Sequence, residues 1–221
     1  MEQRTSQTRL FLKQARENFM HTGAIVPSSR FLARAVTAAI GPKGPPLTVL
    51  EAGAGTGALT GEILHRLPRG SRLDVYEVNP IFAGYLERSF TNGGPHTSHL
   101  ARRPERDVEV SIRNARVQEV PPLAQYDAII SGLPLNNFEP RLVREILETL
   151  FGALRPGGVL SYFEYLLIRE LKSLATGRHE RRRLRRVGRV TGGFLQKYEF
   201  HREAVFLNIP PATVHHLRKP A

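Results

Sequence analysis

The run Glu51-Ala52-Gly53-Ala54-Gly55-Thr56-Gly57-Ala58 is the part of this chain best suited to hold a nucleotide. It follows the apolar stretch LTVL and precedes the amphipathic ALTGEIL, which places its glycines in the turn from a strand into a helix. Glycine there lets the backbone take positive φ and lets a ligand approach the main chain closely. The spacing also satisfies the relaxed dinucleotide pattern that ends in alanine, so the glycines alone do not choose the ligand. Glu51 bears on that choice. A carboxylate ahead of the first glycine suits a cationic ligand, such as a sulfonium nucleoside, and repels a pyrophosphate. Glu77 lies twenty residues past Gly57, at the end of the apolar LDVY, where a carboxylate can accept hydrogen bonds from both ribose hydroxyls.

A second block follows the fourth apolar run. YDAII ends in Ser131-Gly132-Leu133-Pro134, and the proline holds a turn that aims the preceding carbonyls out of the sheet, where they can orient an amine. The SYFEYLL segment adds Tyr162, Glu164 and Tyr165 as groups that could handle a proton. Alternation sets Tyr162 and Glu164 on one face and Tyr165 on the other. Seven arginines crowd residues 177–189. They form either a solvated helix face or a phosphate clamp, in which Arg181, Arg182 and Arg185 would grip a substrate phosphate in bidentate fashion.

These groups need a scaffold, and the chain has the alternation for one. Short apolar runs at about 47–52, 73–78, 107–112, 126–131 and 159–165 read as strands. Amphipathic segments at about 57–67, 80–90 and 139–153 read as helices, with the LRPGG of 154–158 as a helix stop and turn. That is the βαβ pattern of a Rossmann-like α/β fold with a mostly parallel sheet. A further helix is expected at about 166–186, and Val190–Ile209, with its YEFHREAVFLNI stretch, reads as strand material for a closing C-terminal antiparallel hairpin of a seven-stranded sheet. The domain is expected to span 46–221, with 91–106 as a mobile loop and 1–45 as a helical extension. In that extension Leu10, Phe11, Ala15 and Phe19 fall opposite Arg9, Lys13 and Arg16, so a helix over about 5–22 either touches a membrane or packs on the domain. Ser28 or Ser29 can cap the helix that follows.

Composition narrows the classes. There are no cysteines, which excludes disulfides, thiolate nucleophiles and cysteine-ligated zinc. The histidines have no ligand spacing, so no metal is expected, and the adjacent His215 and His216 read as part of a solvated tail. A net charge of +12 points to a polyanionic partner, either an anionic lipid surface or nucleic acid. No apolar run is long enough for a membrane-spanning helix, so a cytoplasmic protein lying peripherally on the inner membrane face is the expectation.

The acid-led glycine turn resembles the first motif of class I methyltransferases. Residues 21–34 (HTGAIVPSSRFLAR), the EAGAGTGALT block, the Ser-Gly-Leu-Pro run and the ending VFLNIPPATVHHLRK together resemble the bacterial phosphatidylethanolamine N-methyltransferase family, from about residue 11 to 218. Ornithine-lipid N-methyltransferases look similar. The resemblance implies S-adenosylmethionine as cofactor, with S-adenosylhomocysteine as product. It places the cofactor against Ser28, Ser29, Glu51, Gly53, Gly55, Thr56, Gly57, Glu77, Val78, Asn114, Ala115 and Ser131. Asn114 stands where the family commonly has an acid facing the adenine amine. The reacting end would comprise Ser131, Gly132, Leu133, Pro134 and Tyr165. Implied too are stepwise methylation of phosphatidylethanolamine towards phosphatidylcholine and an N-terminal helix that binds and remodels anionic membranes. Enzymes that dimethylate adenine in ribosomal RNA are the rival resemblance, yet they carry an aromatic where this chain has Leu135. A membrane remodeller without catalysis is the third possibility, and it would need neither acid nor the glycine turn.

Overall fold

The computed structural model describes residues 29–41, 43–91, 107–166, 178–208 and 210–221. The expected helix at 5–22, Ser28 and nearly all of the 91–106 loop lie outside them.

The elements in chain order are α1 (Arg30–Val36), β1 (Thr48–Ala52), α2 (Ala58–Arg66), β2 (Arg72–Tyr76), α3 (Pro80–Phe90), β3 (Glu109–Arg113), β4 (Tyr126–Ser131), α4 (Pro140–Ala153), β5 (Leu154–Tyr165), α5 (Arg178–Tyr198), β6 (Glu199–Val205) and β7 (Ala212–Arg218). Seven strands form one sheet in the order β3-β2-β1-β4-β5-β7-β6. The first five run parallel, and β7 pairs antiparallel with both β5 and β6. Central strands of such a sheet are covered on both faces, which is why Val49, Leu50 and Ala52 are fully buried, as are Ile129 and Ile130.

Each face has its own core. Leu32 and Val36 of α1 join Ile63 of α2 and Leu86 of α3 on one side. Ile146, Leu147 and Leu150 of α4 join Val187 of α5 on the other. Residues 30–40, assigned to the extension by sequence, thus pack into the domain core, with Ser29 capping α1 by accepting from the Leu32 amide.

Three expectations need correction. Of the helix expected at 166–186, residues 167–177 lie outside the described residues; the described part, Arg178–Tyr198, runs on past 186, so residues 190–198 are helical instead of strand. Leu184, Val187 and Thr191 continue one buried stripe, while Phe194 and Tyr198 pack on Phe151 of α4. Tertiary contact therefore overrides the weak helix propensity of Thr191-Gly192-Gly193. The LRPGG segment makes a turn, with Gly157 at φ 78°, yet it loops out of β5 itself. Leu154 pairs with Tyr126 and Val159 with Ala128, so β5 begins before the turn. His215 and His216 are buried in β7. His215 meets Glu199 at 2.6 Å and His216 meets the Ser161 hydroxyl at 2.7 Å, so the two form an interior polar seam, not a solvated tail.

Candidate active site

β1 lies between β2 and β4, where the strand order reverses, and ligands of such sheets bind in the crevice outside that switch point. A cleft of about 680 Å³ opens there. Gly53 (φ 76°) and Gly55 (φ 55°) line its floor. The Gly53 amide donates to the Tyr76 carbonyl at 2.8 Å and the Gly132 amide to Ala52 at 2.9 Å, so the turn is stitched to both neighbouring strands. Side chains do not fit. A Cβ on Gly53 would meet Leu133 Cδ2 at 2.6 Å, and one on Gly132 would meet the Gly53 carbonyl at 2.6 Å.

Glu77 braces the turn from the side. Its Oε2 accepts from the Gly55 amide and its Oε1 from the Asn79 amide, both at 2.8 Å. Each oxygen keeps a further lone pair for a ligand hydroxyl. Asn79 in turn caps α3 ahead of Pro80.

Glu51 differs from the expectation. Its carboxyl is fully buried beneath the turn, does not line the cleft, and has no hydrogen-bond partner among the described residues. Burial pushes its pKa up from 4.5 to about 8; the Thr60 hydroxyl and amide oppose that rise without reaching hydrogen-bonding geometry, and the Glu77 charge adds to it. On these surroundings it is a neutral acid near pH 7, not the carboxylate foreseen, and a cationic donor beside it would restore the charge.

The other residues predicted for the cofactor separate into two sets. Val78 and Ala115 line the cleft; Thr56 and Gly57 lie in the turn without lining it. Asn114 spends its amide on the Glu77 and Val78 carbonyls, at 2.9 and 3.0 Å, and so ties the end of β3 to the end of β2. Ser29 is held by Asn208, whose Oδ1 accepts its amide at 3.0 Å, at the sheet corner away from the cleft lining.

Gly132, Leu133 and Pro134, predicted for the reacting end, line the same cleft as Glu77. Ser131 stays buried behind them, its hydroxyl 3.4 Å from the Leu133 amide. Not every carbonyl of this turn is available: Leu133 accepts from Leu135, and Pro134 from Asn137. Tyr165 lies on the α1 side of the sheet in the core and Tyr162 on the α4 side stacked with His215, and neither lines the cleft. Arg181, Arg182 and Arg185 lie exposed on α5, outside the cleft lining.

Sequence reasoning missed two features. Phe82, Phe138, Leu142 and Ile146 give the cleft an apolar wall that no local motif announces. Arg183 sits among the arginines but on the buried stripe, four residues before Val187. It donates to the Phe138 carbonyl and, at 2.8 Å, to Asn136, while Glu180 neutralises it. An arginine in register with a helix's apolar positions was the available signal.

No protein-family model matches the chain. The ornithine lipid N-methyltransferase of Singulisphaera acidiphila is 30% identical over 152 residues, which cover 69% of this chain and 74% of that one. The chain belongs to that N-methyltransferase family. Among solved structures, the N-methyltransferase NodS of Bradyrhizobium japonicum in complex with S-adenosylhomocysteine matches with TM-score 0.58 and 16% identity, covering 87% of this chain and 89% of that one. The 1,6-didemethyltoxoflavin-N1-methyltransferase of Burkholderia thailandensis matches with TM-score 0.52 and 18% identity, covering 86% and 76%. Those likenesses give the fold, that of class I methyltransferases. The family's reaction requires a methyl donor, and the residues present fit S-adenosylmethionine. Among the described residues Glu77 is the acid and Arg116 the cation that line the cleft, and the unpartnered Glu51 carboxyl beneath the turn suits an ammonium better than a pyrophosphate.

Proposed function

We propose that this enzyme transfers a methyl group from S-adenosylmethionine to the free amine of a lipid, ornithine lipid first, working peripherally on the cytoplasmic face of an anionic membrane. The observation that carries this reading is the buried Glu51 carboxyl, without a hydrogen-bond partner among the described residues, under a glycine turn whose side is braced by Glu77. That pairing suits the ammonium and ribose of a sulfonium nucleoside. The lipid substrate named for the Singulisphaera relative favours ornithine lipid. Phosphatidylethanolamine and its methylated intermediates are the second reading, favoured by the Ser131-Gly132-Leu133-Pro134 run. Leu135 is buried and would not stack on a base, which weighs against adenine of RNA.

Bound S-adenosylmethionine supplies an electrophilic methyl group. The chain's task is to present a neutral amine in line with it. A lipid amine with a pKa near 10 costs about 4 kcal/mol to deprotonate at pH 7. Leu133, Phe138, Leu142 and Ile146 make a wall that desolvates the ammonium and lowers this cost. Gly53 and Gly55 would bring backbone against the methionyl end, Val78 and Ala115 would flank the adenine, and Gly132 to Pro134 would hold the amine's approach. Arg181, Arg182 and Arg185 would attract the phosphates of the leaflet.

Labelled S-adenosylmethionine, mixed with protein and vesicles of ornithine lipid or of phosphatidylethanolamine, tests the assignment by thin-layer separation of the extracted lipids. Label in methylated ornithine lipid is expected. Label confined to phosphatidylethanolamine would move the substrate to the second reading, and label only in RNA would overturn both.

A further inference from the structure

Four of the eight large exposed apolar side chains among the described residues, Phe31, Leu166, Phe206 and Leu207, gather at one corner. Phe206 and Leu207, 72% and 69% exposed, form the turn between β6 and β7. Val205 and Tyr165 both pair with Ala212, so this turn stands beside the carboxyl end of β5. There the exposed Leu166 donates its amide to Pro211 at 2.9 Å. Asn208 reaches from the same turn to the Ser29 amide, which brings the start of α1 and the exposed Phe31 to the corner. A soluble surface has no use for four apolar side chains gathered at one point. Among the described residues, Val205, Ala212 and Val214 already close the core below them.

Their surroundings say what they meet. Arg30 stacks over Phe31 at 4.9 Å, and Arg34 is exposed one turn further along α1. The acid closest in sequence, Glu203, lies three residues back from the tip. Apolar side chains flanked by arginines on a chain of net charge +12 complement an anionic lipid leaflet, with acyl chains under a layer of phosphate. The position matters as much as the composition. β6, β7, β5 and β4 are successive neighbours, so the tip stands about 15 Å from the carboxyl end of β4 at about 4.8 Å per strand. Tip and cleft therefore open on the same side of the molecule.

We propose that the β6–β7 tip, with Leu166 and Phe31 beside it, inserts into an anionic lipid leaflet and sets the cleft mouth at head-group level. The docking deepens the lipid-methyltransferase reading and rests on it for the choice of a leaflet over a protein partner, yet its test needs no catalysis. The chain contains no tryptophan, so Phe206→Trp makes a lone fluorescent reporter at the tip. Vesicles of equal parts phosphatidylglycerol and phosphatidylcholine should shift its emission to the blue, and brominated acyl chains should quench it. Leu123→Trp is the control: Leu123 is 64% exposed but precedes β4, at the other end of the sheet, and its emission should not move. The double change Phe206→Ser with Leu207→Ser should weaken vesicle partition about tenfold or more and leave S-adenosylhomocysteine affinity intact. Unshifted Trp emission in protein that still sediments with vesicles would overturn the proposal, as would no sedimentation at all. A dimer that the serine changes dissociate would overturn it in favour of a second copy of the chain. Failure of methyl transfer to any lipid, with a blue shift retained, would sink the enzymatic reading and leave the docking standing.

Discussion

Glu51→Gln isolates the most perturbed acid of the site. The folded protein holds the Glu51 proton up to about pH 8, whereas the unfolded chain releases it near 4.5. A carboxyl whose pKa is raised on folding contributes most below 4.5, and its contribution is lost as pH climbs from 4.5 towards 8. The gap of about 3.5 pH units corresponds to about 5 kcal/mol at about 1.36 kcal/mol per unit, so wild-type stability should slope downward across the neutral range. Glutamine cannot ionise and removes the slope. Denaturant unfolding of both proteins from pH 5 to pH 8 should therefore show the variant gaining on wild type by about 3 kcal/mol over that span. Ligand binding adds an independent readout. If an ammonium seats beside Glu51, uptake of S-adenosylhomocysteine needs the ionised acid, and wild-type affinity should rise about tenfold from pH 6 to pH 7. The Gln variant should bind more weakly and without that pH slope. A stability difference that stays flat from pH 5 to pH 8 would refute the account of a carboxyl held protonated by burial.

Other expectations concern the turn, the far wall and the histidine seam. Gly132→Ala puts a methyl 2.6 Å from the Gly53 carbonyl, so calorimetry should find S-adenosylhomocysteine affinity reduced about tenfold or more, with a stability cost of about 1–3 kcal/mol. Arg183→Lys replaces a fork that spans the Asn136 and Phe138 carbonyls with a point charge. The turnover number should fall roughly tenfold to a hundredfold while cofactor affinity holds, and full activity in the Lys variant would show that the fork does not matter. His216 has its pKa lowered from 6.5 to about 4, by burial first and then by His201 and His215. The unfolded chain takes up that proton first, so stability present above pH 6.5 should fall towards pH 4; thermal unfolding should show this, and His216→Gln should flatten it.

The legibility of these features follows how far apart in the chain their causes lie. The glycine turn and Glu77 could be read because strand, turn and helix are contiguous, and the backbone geometry they need is written in adjacent residues. The burial of Glu51 could not, since it depends on Thr60 of α2 closing over the end of β1. Residues 190–198 carry Thr191-Gly192-Gly193, which locally argues against a helix. Contacts distant in sequence make the helix worthwhile, with Phe151 giving Phe194 and Tyr198 a surface. The C-terminal histidines misled for a related reason. Near a chain end they read as solvent-facing, yet β7 inserts between β5 and β6, so the last strand in sequence is interior in space.

The same division separates the two halves of the cleft. Its glycine floor is stitched by backbone, Gly53 to Tyr76 and Gly132 to Ala52, and has no room for a Cβ at either glycine. Its far wall, Leu133 to Phe138, is tied to α5 by the Arg183 guanidinium, forty-five residues further along the chain from Phe138. On the function proposed above, a rigid floor and a wall braced from a remote helix would allow substrate preference to change without disturbing the methyl donor. Changes at α5 should accordingly alter which amine is accepted, whereas changes at the glycine turn should abolish every reaction alike.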